Sequence, residues 1–123
     1  MSDEKVKLDF HTRTKVFALR IIRLYRALPK TTDAQVLGKQ LLRSGTSVGA
    51  HHREAKRARS TAEFVSKIEG GLQELEESMY WLELLMEAEI IAEPRSAPLR
   101  REAEELTAMF VSSVKSAKRR RLR

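Results

Sequence analysis

The sequence contains no cysteine. That excludes disulfides and every thiolate-held zinc or iron–sulfur site, and a reducing compartment, the cytosol, is the expectation. No apolar run approaches the roughly 18 residues of a spanning helix, and no apolar stretch follows a basic one at the amino terminus, so neither a membrane anchor nor a secretory signal is expected. Proline (3) and glycine (5) are scarce in 123 residues, as are aromatics (6%). What is abundant is apolar content, 41%, enough for the core of one domain and too short a chain for two.

Apolar residues recur at steps of three and four, and no stretch keeps the strict alternation of a half-buried strand, so the fold class is all-α. Phe17, Ile21, Leu24 and Leu28 share one face of a first helix at about 10–28, which Pro29 ends. A second helix, 33–57, follows Thr32-Asp33-Ala34-Gln35, a capping-box pattern, and carries the stripe Ala34, Leu37, Leu41, Gly45, Val48. A third, 61–92, follows Ser60-Thr61-Ala62-Glu63 and carries Val65, Ile68, Leu72, Leu75, Met79, Leu82, Met86 and Ile90, with Pro94 as its stop. The fourth, 97–117, has Pro98 in its first turn and the stripe Leu99, Ala103, Leu106, Phe110, Val114, Ala117. Short joints turn consecutive helices back on one another, which gives a single antiparallel up-down-up-down four-helix bundle over residues 1–117. Residues 118–123 form a basic tail expected to be disordered. Phe64, Tyr80, Trp81, Leu84, Leu85 and Ile91 lie off the third stripe. They read either as a broadened core face or, for Phe64, Tyr80, Trp81, Leu84 and Leu85, as an oligomer interface.

Charge is segregated. The formal sums are +5 over residues 1–42, +4 over 43–59, −8 over 60–93, +1 over 94–117 and +5 over the last six residues. The cluster Arg43, His51, His52, Arg53, Lys56, Arg57 and Arg59 admits three readings: a phosphate-gripping surface, a solvated face, or a basic side that meets the acidic third helix of a second copy. Lys118, Arg119, Arg120 and Arg121 can add sequence-independent affinity for nucleic acid, or serve only solubility. Catalytic and metal chemistry find little support. No Glu-x-x-His pair of a di-iron bundle occurs, and His51 and His52, adjacent on a helix, point about 100° apart and do not share an ion. Ser47 and His51 sit one turn apart without an orienting acid. Gly45 and Gly49 suit close helix packing, and the phosphate loop that their surroundings suggest lacks a preceding strand and a following lysine. No cofactor, metal or catalytic residue is assigned, and an enzyme is not expected.

The stretch Leu42-Arg43-Ser44-Gly45-Thr46-Ser47-Val48-Gly49-Ala50, then Glu54-Ala55, Arg59-Ser60, Glu63-Phe64 and the run from Leu72 to Leu85, resembles the bacterial four helix bundle protein family. That family is also known as the ribosomal RNA intervening-sequence protein family. The histidines at 51 and 52 depart from its usual pattern. The resemblance implies an antiparallel bundle that assembles as a ring-shaped homo-oligomer, a pentamer, with basic surfaces and no enzymatic activity. It is similar also to the accessory proteins of diversity-generating retroelements, which bind a reverse transcriptase and its RNA. The expected partners are therefore further copies of the chain, RNA or DNA, and a reverse transcriptase, with a structural adaptor as the alternative role.

Overall fold

The structure, a computed structural model, describes residues 9–121. Four helices occupy it: α1 (Phe10–Arg26), α2 (Thr32–Lys56), α3 (Thr61–Glu87) and α4 (Glu93–Arg121), with no strand among the described residues. Consecutive helices pack as neighbours and α1 closes against α4, the loosest of the four seams. The result is the all-α four-helix bundle that the periodicity implies.

Helices α1 and α3 start where a side chain offers their orphan amides a partner. Asp9 caps α1, its Oδ1 accepting from the Thr12 N–H at 2.8 Å, and that bond holds the Asp9 carboxyl below its ordinary pKa. Ser60 caps α3 by accepting from the Glu63 N–H at 3.0 Å, the first half of the expected capping box. The other expected box is absent. The cap of α2 is Thr31 without a side-chain bond, and Gln35 is engaged elsewhere: its Nε2 donates to the Pro29 carbonyl at 2.8 Å and its Oε1 accepts from the Tyr25 hydroxyl at 3.1 Å. Gln35 thus ties the α1–α2 turn together instead of capping.

The α3–α4 joint also differs from the sequence expectation. Helix α3 ends at Glu87, not 92, in a Schellman turn: Ile90 N–H reaches the Leu85 carbonyl, Glu89 N–H reaches that of Met86, and Glu89 holds a left-handed φ of 62°. Helix α4 then begins at Glu93 rather than 97. Pro94 is tolerated in the first turn, where a missing N–H costs nothing, and Ser96 Oγ donates to the Leu82 carbonyl at 3.2 Å to anchor the start of α4 on α3. Its far end runs on through Arg121, so Lys118 to Arg121 continue a helix instead of fraying; residues 122 and 123 lie outside the described part.

The expected stripes of α1 and α4 are all buried. On α3 the buried seam is Ile68, Gly71, Leu75, Ser78, Leu82 and Leu85, a run of steps of three and four turned from the apolar stripe toward smaller residues. Gly71 makes room for the Phe110 ring, 2.6 Å from where a Cβ would stand, and Ser78 Oγ bonds Ser44 Oγ of α2 at 2.9 Å inside the core. Gly45 does the same for Ile21 on the α1–α2 seam, with 2.9 Å to the position of a Cβ. Leu85, expected at an oligomer interface, is fully buried in this core.

The α1–α4 seam is closed by charge. Arg13, 7% exposed, donates from Nε and Nη2 to the two carboxylate oxygens of Glu102 at 3.1 and 2.8 Å, and from Nη2 to Glu105 at 2.8 Å. A fork-to-fork pair of this kind is strong, and removing one member strands the other charge. Arg13→Leu is expected to destabilise the fold by about 3 kcal/mol in urea denaturation, with Glu102→Gln in the same direction. Glu89→Gly, which relieves a non-glycine left-handed residue, is expected to stabilise it by about 1 kcal/mol, read as a raised Tm.

Candidate nucleic-acid interface

The basic residues singled out in the sequence separate into three groups. Arg43 belongs to the first and is already neutralised: Nη1 donates to Glu74 at 3.1 Å and Nη2 to Glu77, both across the α2–α3 seam. Those bonds favour its charged form, the Glu77 bond most. A phosphate would have to displace two carboxylates there. The acidic third helix therefore meets part of the basic second helix within one chain, before any neighbour is considered.

The histidines form the second group. Successive positions on α2 point them apart. His52 is only 6% exposed and packs between Phe10 and Phe110, with ring centroids 5.2 and 6.1 Å away, so it is part of the core and not a surface contact for nucleic acid. His51 lies half-buried over Gly70, where its ring leaves no room for a Cβ, and its Nε2 is 3.7 Å from Glu74. Gly70 thus serves His51 as Gly71 serves Phe110.

The third group is exposed. Lys56, Arg57 and Arg59 at the end of α2 and in the following joint, and Lys118, Arg119, Arg120 and Arg121 at the end of α4, have no ion pair among the described residues. Arg53 is exposed beside them, its Nη2 3.3 Å from His11 Nε2. Folding brings the two runs to one end of the bundle. Arg59 and Arg120, far apart in sequence, line the same cleft of about 260 Å³ together with Ser60, Thr61, Phe64 and Ala117. Phe64 is half-buried against the core and offers one edge to this cleft.

Of the other residues expected at an oligomer interface, Trp81 is half-buried against the core and Leu84 is half-buried, whereas Tyr80 is 54% exposed. Tyr80 stands edge-on to Trp81 at 5.1 Å and is flanked by Glu76, Glu77, Met79 and Glu83. Sequence reasoning missed Arg13, whose charge hid its burial. It also missed an arginine cleft on the α1–α4 seam, lined by Arg20, Arg23 and Arg95. No cluster of three or more potential metal ligands occurs among the described residues, and no helix there is long and apolar enough to cross a membrane.

Burial holds the His52 imidazole below its ordinary pKa, and the nearby charges of Lys56 and His11 push the same way. The unfolded chain therefore takes up this proton more readily than the folded one. The stability contributed by neutral His52 is full above about pH 6.5, the ordinary histidine value, and is lost as pH falls through the depressed folded value. Chemical denaturation at pH 7.5 and at pH 5 is expected to show that loss, and His52→Leu to remove it.

The same bundle occurs in a solved protein. The crystal structure of a protein with unknown function from the S23 ribosomal protein family of Bacteroides thetaiotaomicron VPI-5482 superposes with a TM-score of 0.81 at 38% identity, over 85% of this chain and 97% of that one. No curated protein matches. The family described as 23S rRNA-intervening sequence protein matches residues 6–112. The fold and this match agree, and the chain belongs to the 23S rRNA-intervening sequence protein family.

Proposed function

We propose that the protein is a non-enzymatic nucleic-acid-binding protein that grips RNA phosphates with the basic end of its bundle. The observation that carries this reading is the convergence of Arg59 and Arg120 on one cleft. Around it stand Lys56, Arg57, Lys118, Arg119 and Arg121, none of them held by a carboxylate among the described residues. Elsewhere Arg13, Arg43 and Arg100 are matched by glutamates. Unneutralised guanidinium and ammonium groups gathered on one end attract phosphates at long range and bind them by displacing counterions. We read the contact as one to phosphate backbone and RNA shape rather than to base edges.

A second reading, self-assembly, is favoured by Tyr80 and its glutamates. The groove between α1 and α2 offers the complementary surface, with Thr46, Gly49 and Ala50 as its floor and His11, Lys15 and Arg53 at its rim.

RNA binding is expected to weaken about a thousandfold between 50 and 200 mM salt if about six phosphates are engaged. Arg59→Gln and Arg120→Gln should each lower the salt slope by about one. Filter binding across a salt series measures both, and an absence of binding at the lowest salt sinks the proposal. Tyr80→Asp is expected to disperse the oligomer in light scattering while the protein keeps its helical circular dichroism.

A further inference from the structure

The α1–α4 seam holds a second concentration of positive charge at the opposite end of the bundle. Arg20, Arg23 and Arg95 line an open cleft of about 270 Å³ whose remaining walls are Leu24, Pro98 and Leu99. No carboxylate lines it, and none of the three guanidiniums has a hydrogen bond or ion pair among the described residues. Two glutamates of α4 are engaged with other arginines: Glu102 with Arg13 and Glu93 with Arg100. Spacings of three and four residues on both helices, at 20, 23 and 24 and at 95, 98 and 99, aim all six side chains into the same space.

We infer that this cleft is a binding site for a compact oligophosphate, a di- or triphosphate. Guanidinium forks match phosphate oxygens in pairs. A single phosphate, at about −2 near neutral pH, leaves at least one of the three arginines without a counter-charge, whereas a triphosphate answers all three. Leu24 and Leu99 are buried and, with Pro98, form an apolar floor beside the arginines. That floor suits the uncharged part of a phosphorylated molecule. The site is distinct from the basic end proposed to bind RNA: Arg95 and Arg120 are 25 residues apart on one helix, about 37 Å at 1.5 Å per residue.

Isothermal titration of the whole chain at low salt tests it, with sodium tripolyphosphate, orthophosphate and ATP as probes. Tripolyphosphate is expected to bind one site per chain at least tenfold more tightly than orthophosphate. The R23Q/R95Q double variant should lose at least tenfold in that affinity while it melts as the parent does without anion, because both side chains are exposed. K118Q/R119Q/R120Q should leave it unchanged. ATP binding tighter than tripolyphosphate assigns the apolar floor to a base or sugar, and equal binding assigns the site to phosphates alone; both support it. The inference is overturned by absence of saturable binding, by affinity unchanged in R23Q/R95Q, or by a glutamate-rich peptide that binds in an R23Q/R95Q-sensitive way where tripolyphosphate does not. RNA affinity followed in the same two variants keeps this outcome separate from that of the basic end, since only K118Q/R119Q/R120Q should lose it.

Discussion

The clasp of Arg13 on Glu102 and Glu105 is the contact on which the closed bundle turns. Helices α1 and α4 are the first and last in the chain, no short joint holds them together, and their seam is the loosest of the four. Hydrophobic burial alone does not specify how two such helices align, since apolar contact is non-directional. A planar fork bound to two carboxylates does, and Phe10 with His52 and Phe110 closes the same seam one turn below. The clasp also decides what is left over. It takes the carboxylates of α4 that face α1, so the arginines nearer the other end of that seam face one another without a counter-charge.

The tight seams are organised differently. Between α1 and α2 and between α3 and its neighbours the backbone comes close because Gly45 and Gly71 accept Ile21 and Phe110. A buried Ser44–Ser78 hydrogen bond then fixes the register of α2 on α3. These contacts make α2 a rigid element and hold its basic end at a constant position beside the end of α4. Function placed on such a helix needs no moving part.

The fold was legible in the sequence because apolar spacing reports directly on which helix face is buried. The stripes from Phe17 to Leu28 and from Leu99 to Ala117 lie in the core as the spacing implies. On α3 the stripe also faces the core, with Ile68, Leu75 and Leu82 buried and Val65, Leu72, Met79, Met86 and Ile90 packed against it, but the signal passed over Gly71 and Ser78, which carry no apolar weight and yet are buried. Arg13 was illegible for the related reason that a charged residue counts as surface until its partners, 89 and 92 residues away, are known. The turn at Glu89 was illegible as well, because the signal for a left-handed cap is glycine and none stands there. For the candidate site, the sequence displayed the basic residues but not their partners. Arg43 looked equivalent to Arg59, and His52 to His51. Only the packing of α2 against α3 and α4 separates the neutralised from the free and the buried from the exposed.

That separation bears on how the net charge of +7 acts. Glutamates of α3 and α4 cancel Arg43 and Arg13 where the helices touch, and the excess is pushed to the places where no acidic helix face is near. Two such places exist at opposite ends of α4, separated by several times the screening length of about 8 Å at physiological salt. An anion bound at one therefore leaves the potential at the other almost unchanged. The two proposed sites are therefore electrostatically independent, and a polyanion long enough to touch both would gain from linkage rather than from any change in the bundle.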